Sequence, residues 1–280
     1  MRTTSALTAG AAMIGALLSS GLALAQPATP VDVQVVDTDD PGQGINFILG
    51  AGPAATPDYE GSEDYEAVPF WTLRAGNLYH PETYVQLIGA RLFSNFLPDD
   101  HWRLGIAGQF IRERNDVENN QVDELKSVDP SVMLGLIGGY DFLVGLGADL
   151  LLEIEGRQDV ANDNGFLGTI RGRYGRRFAE RWRLDTLVST TWASEDYMSS
   201  YFSIDAGDAA RSGLDQFSAD EGFKDVSFGG SLSYRFLERW SASVTGLYTR
   251  LIDDAEESPV VDDVGDANQL FGGFLINYRF

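Results

Sequence analysis

The sequence predicts an all-β fold, a transmembrane antiparallel β-barrel of the bacterial outer membrane with an even number of strands, ten or twelve. Three observations predict it. From Ile45 onward, apolar and polar side chains alternate with a period of two. The alternating segments reach about 10–13 residues, the length a tilted strand needs to cross a bilayer, where ordinary strands run about 5–6. Aromatic residues gather at the segment ends.

The period is clearest in Val226–Phe236, where Val226, Phe228, Gly230, Leu232, Tyr234 and Phe236 share one face and Ser227, Gly229, Ser231, Ser233 and Arg235 the other. The stretch from Trp240 repeats it, with Ala242, Val244 and Tyr248 against Ser241, Ser243 and Thr245. Phe166, Ile170, Tyr174 and Phe178 oppose Thr169, Arg171, Arg173 and Arg177, and Leu146, Ala148, Leu150, Leu152 and Ile154 oppose Asp149, Glu153 and Glu155. Further segments lie near 45–56, 66–76, 84–95, 102–114, 131–142 and 182–193.

A soluble sandwich alternates too. What separates the two is that full charges sit in mid-strand on the polar face, while glycine and aromatics dress the apolar face. Trp102, Trp182 and Trp240 open strands, and Tyr140/Phe142, Tyr174/Phe178, Tyr234/Phe236 and Tyr278/Phe280 close them, as a girdle at a membrane interface requires. In lipid every backbone polar group needs an internal partner, so such strands must close into a barrel. The alternation of Phe274, Ile276, Tyr278 and Phe280 marks the closing strand, with Tyr278 and Phe280 expected as the signal read by the outer-membrane assembly machinery.

Composition narrows the function classes. The 280 residues carry a formal charge of −22, which argues against nucleic acid as a partner. Without cysteine there is no disulfide, thiolate metal site or thiol chemistry. Arg2, an apolar core and Ala23-Leu24-Ala25 read as a secretory signal peptide over 1–25, cleaved before Gln26. Residues 26–44, rich in Pro, Asp and Gly, read as a periplasmic lead-in, and 45–280 as the barrel.

Loops sort into two lengths. Short turns such as "FAERW", "FLERW" and "YDFLVG" are expected on the periplasmic side, and long acidic loops near 57–66, 115–130, 157–164, 194–222 and 253–268 outside. Counting 66–76 and 198–205 as strands gives twelve; folding both into loops gives ten.

On the expected interior face, Asp149, Glu153 and Glu155 neighbour Arg171, Arg173 and Arg177 across one hairpin. Two readings stand: a narrow barrel that fills itself with ion pairs, or a charged constriction that selects permeant solutes. Catalysis is not expected. The two histidines, His80 in "LYHPET" and His101 in "PDDHW", sit in turn-like contexts without a serine nucleophile constellation. No glycine loop cradles phosphate, and no cofactor is expected. The acidic run "DDAEESPVVDDVGD" lacks EF-hand spacing and reads as a solvated face that could share divalent cations with lipopolysaccharide. "PDYEGSEDY" reads as a solvated, turn-rich hairpin tip stiffened by Tyr59.

Several segments together resemble the MipA/OmpV family of outer-membrane proteins. Pro57, Tyr59, Gly61, Ser62 and Pro69 match near the start, Tyr197, Met198, Tyr201, Phe202, Ser212 and Gly213 later, and Ala255, Ser258, Pro259, Gly265, Gln269, Tyr278 and Phe280 near the end. Ser203 departs from the glycine usual after Tyr-Phe. The resemblance implies an outer-membrane barrel that scaffolds a lytic transglycosylase and a murein synthase, with outer-membrane lipid and lipopolysaccharide as surroundings. A small diffusion channel is the competing expectation.

Overall fold

The computed structural model describes residues 44–143 and 147–280. The expected signal peptide, and the lead-in up to residue 43, lie outside the described residues. Twelve strands run in chain order: β1 (Asn46–Pro57), β2 (Tyr65–Gly76), β3 (Tyr84–Ile88), β4 (Arg91–Asn95), β5 (Trp102–Ile111), β6 (Ser131–Leu143), β7 (Ala148–Asp159), β8 (Phe166–Phe178), β9 (Trp182–Ala193), β10 (Gly222–Arg235), β11 (Trp240–Leu251) and β12 (Asn268–Arg279). Each pairs antiparallel with its sequence neighbours, and β12 closes the barrel on β1 through Leu49↔Tyr278 and Ala51↔Ile276.

Twelve is thus the strand number, but not by the expected route. The segment 66–76 is a strand, whereas 198–205 is not: most of it is helix. The missing strand comes from 84–95, which folds back on itself at Gly89-Ala90 as two five-residue strands. Gly89 takes φ +52, the left-handed geometry that a two-residue hairpin turn demands.

The register places the two faces as alternation requires. Leu136, Ile154 and Val244 point outward and are 64%, 67% and 60% exposed, part of a belt of exposed apolar side chains with no protein cover. So large a continuous apolar surface is a lipid-facing one. Aromatic clusters ring the short-turn end: Trp102 and Phe142 lie 4.9 and 4.8 Å from Tyr140, Trp182 lies 4.5 Å from Tyr234, and Trp240 lies 4.8 Å from Tyr278. Phe280 packs edge-on against Tyr278 at 4.9 Å, and its N–H donates to the Phe47 carbonyl.

The inward face is filled. An apolar cluster of Phe70, Leu187, Leu247, Phe271 and Leu275 occupies one side, with Phe70 and Phe271 packed edge to face at 5.3 Å. Serine and threonine rows on β10 and β11 pair across the ladder, as in Ser227–Thr249 at 2.7 Å and Ser233–Ser243 at 2.9 Å. The remaining arc holds charges.

At the other end the long loops fold into a plug. Five short helices form there among the described residues: α1 (Asn120–Asp123), α2 (Glu195–Phe202), α3 (Ala206–Ser212), α4 (Asp254–Glu257) and α5 (Pro259–Asp262). Their starts are written locally: Asn119, Asp205 and Ser258 accept hydrogen bonds from the first-turn amides of α1, α3 and α5. Two apolar clusters, one around Met198, Phe202, Leu251 and Val261 and one around Val122, Ile204, Leu214 and Val260, pack the plug into the barrel mouth.

One stretch of wall is built differently. Residues 65–70 of β2 pair with β1 alone, because β3 reaches only from Tyr84 to Ile88 and the Gly89 amide ends the ladder at Trp71. Beyond that point Arg112, just past β5, spans the gap to the Glu66 carboxylate and the Asp58 carbonyl.

Candidate functional site

The interior charges form a connected lattice centred on Glu155. Arg91 Nη2 on β4 donates to both Glu155 oxygens at 2.9 and 3.0 Å. Arg171 on β8 reaches Glu155 at 3.3 Å and Glu153 at 3.4 Å, Arg173 lies 3.6 Å from Glu153, and Arg157 pairs with Glu155 along the same strand. Closer to the short turns Arg183 on β9 joins Asp149 at 3.1 Å and Asp185 at 2.8 Å. Arg177 sits at the strand end, its N–H donating to the Gly147 carbonyl at 2.9 Å.

The predicted rows therefore share one interior, but hairpin adjacency is only part of the wiring. Glu153 stands opposite Arg171 in the β7–β8 register, whereas Asp149 stands opposite Gly175 and finds Arg183 instead. Arg91, Arg157, Arg183 and Asp185 were not singled out by the sequence. Their signal was present, since all lie on the inward parity of their strands, but Arg91 belongs to a hairpin read as one strand.

The family-motif loop residues Tyr59, Gly61, Ser62, Ser258 and Pro259 lie in the plug, buried rather than solvated. Both acidic segments were expected as solvent-facing tips; long-range packing that no local pattern reveals draws their apolar members inward. Ser258 is 0% exposed and donates from Oγ to the Phe202 carbonyl at 2.6 Å while capping α5, whose first residue is Pro259. Pro259 suits that position because it has no N–H to leave unpaired. The Gly61 amide donates to Gln269 Oε1 at 3.2 Å, and Gln269 Nε2 returns to the Ser62 carbonyl at 3.0 Å. Gly61 holds φ +99, and a Cβ there would lie 2.6 Å from Val261 Cγ2. Ser203, the departure from the family pattern, closes α2 and accepts from the Ala219 amide at 2.9 Å. The acidic side chains that remain do local work: Glu256 pairs with Arg250, and Asp254 accepts from the Asp220 amide.

Beneath the plug lies a cavity of about 60 Å³. Tyr59, Tyr197, Tyr201, Arg112, Arg114, Arg157 and Lys224 are among the residues that line it. Tyr197 stacks on Tyr201 at 4.4 Å and donates to Glu60 Oε2 at 2.9 Å. Burial pushes the Tyr59 hydroxyl up to about 12, against the lowering effect of nearby Ser62 and the Arg114 charge. Burial also raises Tyr197 and Tyr201, so all three phenols stay protonated.

Similarity to known proteins bears on this arrangement. The family described as MltA-interacting protein MipA matches residues 49–280. The MltA-interacting proteins of Escherichia coli (strain K12) and Shigella flexneri are each 35% identical over 75 residues, 27% of this chain. That stretch spans 30% of the length of each of these relatives. Among solved structures, an outer-membrane channel from Pseudomonas putida F1 aligns over 90% of this chain and 99% of its own, at 12% identity and a TM-score of 0.42. OmpT of Vibrio cholerae aligns over 89% of this chain and 100% of its own, at 6% identity and a TM-score of 0.38.

Proposed function

The chain belongs to the MipA family, and from that premise we propose that it is a closed outer-membrane barrel that organises peptidoglycan-modifying enzymes rather than passing solutes. The partners in this reading are a lytic transglycosylase and a murein synthase. The relatives' name, MltA-interacting protein, supports the first of them. The docking surface is the short-turn face with the lead-in Gln26–Gly44. Exposed Tyr79 and Leu237 stand in those turns and supply apolar anchors.

The observation that carries the reading is the filled interior. A conducting pore keeps a continuous aqueous lumen. Here the cross-section is taken up by the Glu155 lattice and the Phe70–Phe271 cluster, with the helical plug above them. A barrel of this kind serves as a fixed body in the membrane to which enzymes attach. Its apolar belt meets lipid and lipopolysaccharide, and the strand ending at Tyr278 and Phe280 is read by the assembly machinery. The reading assigns no catalytic step and no cofactor to the chain.

The test is paired. Purified protein in planar bilayers should give no stable conductance steps, and cross-linked envelopes should yield murein hydrolase and synthase with the barrel. Reproducible single-channel steps without those enzymes would favour a charged diffusion channel instead.

A further inference from the structure

We propose that the cavity beneath the plug is a binding site for a small oxyanion, a carboxylate or phosphate group, held by Arg114 and the Tyr201 hydroxyl. Each other cation on the cavity wall has a carboxylate: Arg112 has Glu66, Arg157 has Glu155, and Lys224 has Asp225 at 2.8 Å together with Glu60. Arg114 has none. It is 8% exposed, its Nη1 donates to the Tyr201 carbonyl, and its Nε has no hydrogen-bond partner.

Tyr201 lies beside it, 7% exposed, and its Oη is likewise without a partner. Buried donors are ordinarily paired, and a buried charge ordinarily meets its opposite. Unsatisfied donors on residues of one cavity wall, the Tyr59 and Tyr201 hydroxyls and Arg114 Nε, the last carrying a full positive charge, call for an acceptor that is negative. The ionised oxygens of a carboxylate or phosphate group accept without donating, and guanidinium presents its N–H groups in a fork that fits two of them. Space agrees: a cavity of about 60 Å³ exceeds the roughly 10–15 Å³ that a single water needs. A water could take the same hydrogen bonds but would leave the Arg114 charge uncompensated. Burial lowers the Arg114 pKa, opposed chiefly by Tyr201 and Tyr59, which fits a cation short of a counter-charge.

The site is tested by calorimetric titration of the full barrel, in neutral phosphatidylcholine bilayers, with inorganic phosphate and with acetate at constant ionic strength. Saturable binding of at least one probe is expected. Arg114→Gln should weaken it at least tenfold, and Tyr201→Phe several-fold. Tyr201→Phe should keep the parent's heat-modifiability, since that hydroxyl has no bond to lose, so the proposal stays testable if Arg114→Gln fails to assemble. Repeating the titration in bilayers containing phosphatidylglycerol distinguishes sources: loss of the heat there assigns the site to a lipid phosphate, and its persistence to a soluble anion. No saturable binding of either probe, or binding by Tyr201→Phe equal to the parent's, would overturn the proposal.

Discussion

Glu155 on β7 and Arg91 on β4 meet across the interior at 2.9 Å, although β5 and β6 separate their strands along the wall. Both side chains are nearly inaccessible to solvent, and Arg157 and Arg171 share the same carboxylate. The pair therefore works as a chord rather than a rung. It ties two arcs of the barrel that no backbone hydrogen bond joins, and three guanidinium groups share the one acid.

Removing that acid should be costly. Glu155→Gln keeps the shape but strands buried positive charge, and breaking a buried pair costs about 3–5 kcal/mol. The expected outcome is a clear fall in the urea or thermal midpoint of the inserted barrel. Glu113→Gln, on an exposed loop residue, should stay within about 0.5 kcal/mol of the parent.

Facing is open to chemical labelling. Cysteines at Leu150 or Ile170 should react with a lipid-phase label, and cysteines at Asp149 or Arg173 should not. A slip of one residue in register would reverse the pattern, because it turns every side chain to the other face.

The plug should loosen without the barrel. Gly61→Ala places a Cβ at φ +99 against Val261 and should cost the plug about 1–3 kcal/mol. Ser258→Ala removes the α5 cap and should cost about 1 kcal/mol. Amide exchange at Val260 and Val261 should speed up in both variants while the β10–β12 amides keep the parent's protection. Uniform acceleration throughout the barrel would show that plug and wall are one cooperative unit.

Alkali should act on the same plug. The Tyr59 hydroxyl titrates at 10.0 when free and at about 12 in the fold. Its folded value is raised, so its contribution is fully present below pH 10 and is lost as the pH climbs from 10 towards 12. Protease nicking of residues 195–212 should rise across that window and rise less in Tyr59→Phe. The same profile in both proteins would assign the transition to Tyr197 and Tyr201 instead.

What the sequence made legible follows from the range of the forces involved. Alternation is a local consequence of strand geometry meeting lipid on one side, so the barrel, its even strand number and the inward rows could be read directly. The β3–β4 hairpin could not, because two five-residue strands joined at Gly89-Ala90 look like one membrane-length segment. The stretch "YMSSYFSI" carries its aromatics in a pattern that suits a strand, yet Tyr197, Met198, Tyr201 and Phe202 are buried on a helix face at 3.6-residue spacing. Charge misled in the same way. "DDAEESPVV" is acidic enough to read as solvated, and only packing against distant segments, α2 for Ala255 and Val261 and the Tyr59, Val122 and Ile204 cluster for Val260, gives its apolar members somewhere to go.

The unpaired margin of β2 makes the wall mechanically uneven. Around nearly all of its circumference the barrel is sewn by peptide hydrogen bonds, whose strength is indifferent to salt. Along residues 65–70 the stitching is a single arginine, Arg112, reaching a carboxylate and a carbonyl, with both members of its ion pair about one-third exposed. Attraction between partly exposed charges is screened by ions. Among the described residues the barrel thus carries a seam whose grip depends on the medium outside it.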